Sequence, residues 1–250
     1  MTLIITELSS FGIAMAADSA ITTTNSISGL ASLHPRAANK LQMIRYLNAG
    51  ISCWGIGSLN GIGTDAWLSQ FINQNSHLKT LADFAVALAN ELNKLNIPRS
   101  IGLNNLGFHL AGFEYYNGQF VPSFFHIHDG PSGIFTNANP NIFNANQDMS
   151  PAIYLQNIGA GGYYVTRNGD FQIYATLYTQ TEALFQSLAT FGIIIPNSKN
   201  VRDRADYLVF WIRTVSELYR MSNLHPGIGG RIDYLTILPQ GISSAGSQFY

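Results

Sequence analysis

The sequence predicts an α+β fold, a four-layer α-β-β-α sandwich: two stacked, mainly antiparallel sheets with helix pairs outside. Three observations lead there. Apolar runs of strand length come in pairs joined by tight-turn residues, so neighbouring strands run antiparallel instead of alternating with helices as in a parallel α/β sheet. Segments of helical period also come in pairs, at 65–95 and at 179–221. The order is then hairpins, two helices, hairpins, two helices and a final strand. Two sheets face to face with the helices outside bury all of these apolar faces.

Each element has its own signal. Residues 2–8 are apolar enough for a buried strand, 9–12 form a tight turn, and 12–19 return as a strand that ends in Asp18 and Ser19. Residues 20–24 extend it. Residues 25–39, rich in Ser, Gly and Asn and broken at His34 and Pro35, read as a loop. A short strand at 40–46, a turn at 48–50 and a buried run at 51–55 make the second hairpin.

After the glycine-rich stretch 55–63 the period changes. Trp67, Leu68, Phe71 and Ile72 recur at helical spacing behind Asp65, which suits a first helical turn. A stronger amphipathic helix runs from Leu78 to Leu95 and stops before Ile97 and Pro98. Strands at 106–116 and 119–128 flank Asn117 and Gly118, a strong hairpin signal. Residues 130–152 read as a long loop, with five asparagines among positions 137–146. Strands at 153–158 and 171–178 bracket a glycine turn at 159–162. Helices follow at 179–191 and 201–221, then a strand at 232–238 and a Ser/Gly tail. No repeat or linker divides the chain, so residues 1–250 read as a single domain.

Composition narrows the partners. The chain has 250 residues, a formal charge of −1, 11% charged residues and 46% hydrophobic ones. No excess charge points to nucleic acid or to an anionic membrane surface. So few charges on so apolar a chain suggest that part of the exterior is covered by other copies. A single cysteine fits a reducing compartment. The apolar N-terminus lacks a basic leader and carries Glu7, which makes a poor signal peptide. No window has the length of a transmembrane helix. A cytoplasmic protein is expected.

One placement stands out. If Met1 is removed, Thr2 becomes the chain terminus, and it sits at the head of a core strand. Thr2 leading its strand, the run Gly12–Ser19 ending in Asp18, then Lys40, then a strand ending in Trp54 and Gly55, together resemble a proteasome β-type subunit. The segment Gly229 to Ile237 resembles the end of that same fold. The resemblance implies the sandwich above, no cofactor and no metal, and self-association into a ring. It also implies a threonine-type peptidase that cleaves amide bonds in peptides or unfolded proteins.

The chemistry suits the spacing. A threonine hydroxyl needs a base beside it, and a freed α-amine with a pKa of about 8 can serve. In this scheme Thr2 is the nucleophile and Lys40 favours its alkoxide. Asp18 holds the Lys40 ammonium, and the Gly55 N–H faces the developing oxyanion. The resemblance further places Ile21, Thr22 and Gly57 along a groove where a peptide pairs as an extra strand, and Cys53 in the wall of a specificity pocket that favours apolar side chains.

The sequence departs from the family at three points. The family's serine between two glycines falls on Gly159, Ala160 and Gly161. An Asp and a Ser before the last glycine pair fall on His225 and Ile228. The loop from Asp18 to Lys40 is long. A non-catalytic relative of the same fold and a small-molecule amidase of the same superfamily therefore stay open as alternatives. Other signals have plainer readings. Cys53 suits a small core residue. His126 and His128 share a strand face but lack further ligands at metal-binding spacing. The glycines at 55, 57 and 61 lack the period and the acidic residue of a dinucleotide loop.

Overall fold

The computed structural model describes residues 2–24, 31–34, 36–95, 97, 106–129, 142–158, 161–169, 172–222 and 227–248. Strand β1 (Leu3–Ser9) turns into β2 (Gly12–Asp18), and every residue of both is buried. Two short strands, β3 (Thr22–Thr24) and β4 (Ala31–Leu33), pair with each other. Next come β5 (Leu41–Ile44), a single 3-10 turn at Arg45–Leu47 and β6 (Ala49–Gly55). A small hairpin, β7 (Ser58–Leu59) and β8 (Ile62–Gly63), leads into α1 (Thr64–Gln74) and α2 (Leu81–Lys94).

The chain then forms β9 (Leu106–Tyr116), β10 (Gln119–His128), β11 (Asn144–Met149) and a short α3 (Pro151–Asn157). It ends with β12 (Tyr163–Gly169), α4 (Gln172–Ala189), α5 (Val201–Met221), β13 (Ile232–Leu238) and β14 (Gly241–Gln248).

Among the described residues the long strands make two five-stranded antiparallel sheets, ordered β12-β1-β2-β13-β14 and β11-β10-β9-β6-β5. Three apolar layers fix their stacking. Phe71, Phe84, Leu88 and Leu92 of α1 and α2 pack on Phe108, Leu110 and Ile127 of the second sheet. Ile4, Leu8, Met15 and Leu235 meet Trp54, Ala111 and Phe124 between the sheets. Leu208, Trp211, Ile212 and Val215 of α5 cover Leu3, Ile5, Ala14 and Ala16, with Tyr174 of α4 beside them. The four-layer α-β-β-α sandwich is thus the observed architecture. The sheets come so close at Gly50 that a Cβ there would stand 2.5 Å from Leu235 Cδ2 and 2.6 Å from Met15 Sδ.

Local chemistry sets the boundaries. Asn117 and Gly118 both have positive φ (49° and 86°), as a tight two-residue hairpin turn requires. Thr80 caps α2 by accepting from Asp83 N–H, and Asn200 caps α5 by accepting from Arg202 and Asp203 N–H. The one charge inside β1, Glu7, is met by the Arg204 guanidinium of α5 through two hydrogen bonds of 2.5 Å. Burial of such a pair leaves either partner costly alone.

Several sequence expectations need correcting. Residues 153–157 lie in helix α3 instead of a strand, with Ile158 as its C-cap, because Ser150 and Pro151 form an N-terminal cap and first turn. Of the strand expected at 171–178, residues 172–178 are the start of α4, and the strand before it is β12, which begins eight residues earlier than expected. The polar run before Ser150 contains the edge strand β11, and the Ser/Gly tail is the edge strand β14. Residues 22–24 leave the β2 line to pair with β4 inside the expected loop. Most of the asparagine-rich loop, and Met1, Ala160 and His225, lie outside the described residues.

Candidate active site

The site is built where the two sheets meet. Thr2 precedes β1, and Asp18 ends β2 of the same sheet. Lys40 precedes β5 in the opposite sheet, and its carbonyl accepts from Cys53 N–H at 2.9 Å, which extends the β5–β6 ladder by one residue. The Lys40 side chain is therefore fixed by a strand and points across to the first sheet. Its Nζ donates to Thr2 Oγ1 at 2.9 Å and to Asp18 Oδ1 at 3.1 Å. The side chains of Lys40 and Asp18 are 7% and 0% exposed.

Such a buried pair survives only if the remaining lone pairs are used. Asp18 uses them fully. Oδ1 also accepts from Leu3 N–H at 2.9 Å, while Oδ2 accepts from Ala20 N–H at 3.1 Å and Gly229 N–H at 3.3 Å. One carboxylate thus holds the head of β1, the end of β2, the lead into β13 and the lysine. Beside it the Ser19 hydroxyl is buried without a hydrogen-bond partner among the described residues, 2.8 Å from where a Cβ on Gly230 would sit.

A cavity of about 60 Å³ opens onto Thr2 and Lys40. The residues expected along the groove and pocket, Ile21, Thr22, Cys53, Gly55 and Gly57, all line it. Gly55 ends β6 with φ +98°. A Cβ built on Gly57 would stand 3.9 Å from Ile21 Cγ2, so the two groove edges face each other. Burial pushes the Cys53 thiol up to about 12 against the opposing pull of Lys40. A neutral thiol makes a wall, not a nucleophile. A much larger groove, about 890 Å³ between β5, α1 and the β13–β14 pair, includes none of Thr2, Asp18 or Lys40. The candidate site rests on the buried Asp18–Lys40 pair and the Thr2 hydroxyl it holds, and not on groove size.

Sequence reading missed three contributors. Ala38 and Asp65 line the cavity, and Arg36 closes over the Asp65 carboxylate. Asp65 was visible only as a helix-start residue, and nothing in spacing tied it to Arg36. Ile228, at a position where the resemblance places a hydroxyl, is 1% exposed in the apolar layer under α5.

Histidines form a second buried polar cluster. His126 and His128 do share a face of β10, and His109 of β9 lies opposite His126. The His109 ring bridges the sheets, with Nε2 2.6 Å from Asn168 Oδ1 and Nδ1 3.1 Å from Thr6 Oγ1. With the amide oxygen accepting, the proton sits on Nε2 and the Thr6 hydroxyl donates to Nδ1. Among the described residues no group of three or more His, Cys, Asp or Glu is placed to hold a metal ion. No helix among them is long and apolar enough to cross a membrane.

No family model matches the chain, and no curated protein matches it. Among solved structures, the chain is similar to the Anbu (Gly-1) mutant from Hyphomicrobium sp. strain MC1, with a TM-score of 0.55 at 15% identity. The match covers 100% of this chain and 87% of that one. The class defined is one of fold: a proteasome-like, Ntn-hydrolase-type sandwich. At that identity the likeness speaks for architecture and leaves the chemistry to the residues of this chain.

Proposed function

We propose that the chain is a proteasome-like N-terminal-nucleophile hydrolase that cleaves peptide amide bonds with Thr2. The observation that carries this reading is the hydrogen bond from Lys40 Nζ to Thr2 Oγ1, made by an ammonium that Asp18 holds from the other side. Removal of Met1 frees the Thr2 amine. That amine takes the hydroxyl proton as Oγ1 attacks the substrate carbonyl, while Lys40 lowers the energy of the alkoxide. Gly55 N–H receives the oxyanion. The leaving amine takes the proton back, and water then releases the acyl group from Oγ1. An extended peptide lies between Ile21–Thr22 and Gly57, with one side chain toward Cys53.

Self-association into a ring is part of the same reading. The segment after α4 leaves Phe191 80% and Ile194 65% exposed, apolar surface of the kind that copies of a chain cover. The alternative of a non-catalytic relative draws on one observation: Ile228 supplies an apolar side chain where the family supplies a hydroxyl. Nothing in the cavity favours a small-molecule amide over a peptide.

Intact mass and electrophile labelling decide between these. The purified chain should lack Met1 and take up one equivalent of a peptide epoxyketone, and Thr2→Ala should take up none. Quantitative retention of Met1 caps the amine base and would sink the catalytic reading in favour of the non-catalytic one.

A further inference from the structure

The cavity beside Thr2 is lined as well by Ala38, Cys53, Thr64 and Asp65. A carboxylate in the wall of a pocket would ordinarily favour a cation. Here that carboxylate is already taken. Arg36 Nη2 donates to both Asp65 oxygens, at 2.9 and 2.8 Å, and Asn39 N–H adds a bond of 3.0 Å to Oδ2. The Arg36 side chain is 52% exposed against 9% for Asp65, so the guanidinium reaches in from solvent and closes over a buried group. Gly63 leaves room for it. A Cβ there would stand 2.8 Å from Asp65 Oδ1 and 3.2 Å from Arg36 Nη1.

We infer that Arg36 is a specificity-determining residue, which keeps the pocket beside Thr2 neutral so that it admits a small uncharged side chain and turns away basic ones. The inference rests on the reading of Thr2 as nucleophile. Of the other walls, Ala20, Ala38 and Cys53 supply methyl groups and an un-ionised thiol, Thr22 and Thr64 are uncharged, and the Lys40 ammonium is paired with Asp18; the cavity holds about 60 Å³. That suits a side chain the size of alanine or serine.

The pair predicts reciprocal switches. Arg36→Ala uncovers Asp65, and cleavage after arginine relative to cleavage after alanine should rise by about 10- to 100-fold, the range that a hydrogen bond to a charged group supplies. Asp65→Asn instead leaves the guanidinium unpaired and should raise cleavage after glutamate. The double variant Arg36→Ala/Asp65→Asn should lose both gains.

The measurement is kcat/KM on three peptidyl-coumarin amides that differ only in alanine, arginine or glutamate before the scissile bond. Either single variant decides, so misfolding of one leaves the other to answer. Unchanged ratios in a folded variant that still cleaves the alanine substrate overturn the inference and leave the nucleophile intact. A wild-type chain that cleaves none of the three and takes no epoxyketone removes the reading beneath it, and the inference with it.

Discussion

A Cβ placed on Gly169 would stand 1.8 Å from the carbonyl oxygen of Thr2. The register pairs Gly169 with Leu3, so β12 backs the proposed nucleophile with bare backbone. Gly169 also has φ +104°, which L side chains rarely adopt. Gly169→Ala should cost about 3 kcal/mol or more, since overpacking and an unfavourable φ add. Urea unfolding reads the loss. Whatever folded fraction remains should label at Thr2 more slowly, because Thr2 must shift to make room.

Removing Lys40 should act on stability and chemistry together. Lys40→Ala leaves the Asp18 carboxylate buried without its cation, at a cost of about 3–5 kcal/mol for such pairs. The three backbone N–H bonds to Asp18 favour the lower end. Folded Lys40→Ala should neither cleave peptides nor label. Wild-type turnover in this variant would refute the role given to Lys40.

The histidine cluster makes stability depend on pH. Burial first, and then His126, holds His128 down at about 4; Asp148 opposes weakly. Burial and the charge of His126 hold His109 well below its usual value, against the Asn168 hydrogen bond. Both groups have depressed folded-state values, so the unfolded chain takes up protons first as pH falls. Stability is full above about 6.5. It should decline toward pH 4, by up to about 1.4 kcal/mol per pH unit for each histidine. His128→Gln should remove about one proton from that slope in denaturation curves collected from pH 7.5 to 4.5, and an unaltered slope would count against the assignment.

Cys53 offers a simple check on the labelling experiments. Its thiol is buried and held neutral, with a value pushed up to about 12. Ellman's reagent at pH 8 should find no thiol in the native chain and one after denaturation, the single cysteine of the sequence. Rapid native reaction would mean that Cys53 competes with Thr2 for electrophiles.

The sequence made some of this legible for definite reasons. α5 and β9–β10 follow from strong periodicity and from the Asn117–Gly118 turn, where local signals agree with tertiary packing. Thr2, Asp18 and Lys40 are readable as a set through the resemblance of the N-terminal segment to a proteasome β-type subunit, and each stands at a strand end, where a sandwich can gather residues from both sheets. The failures share a cause. β11 and β14 are polar edge strands, half solvated and without a two-residue hydrophobic period. β12 is another such edge, partly exposed along most of its length. The pair Arg36–Asp65 joins a loop to a helix start across 29 positions, a contact that only the folded chain displays.

The bonds to Asp18 also carry information about time. Its carboxylate gathers Leu3 from 15 residues before it and Gly229 from 211 residues after it. A nascent chain holds Thr2, Asp18 and Lys40 early, but one acceptor position on Asp18 stays open until the segment before β13 has been made and docked. In the proposed scheme the setting of Asp18, and through Lys40 that of Thr2, is thereby coupled to the docking of a segment 211 positions away from Asp18.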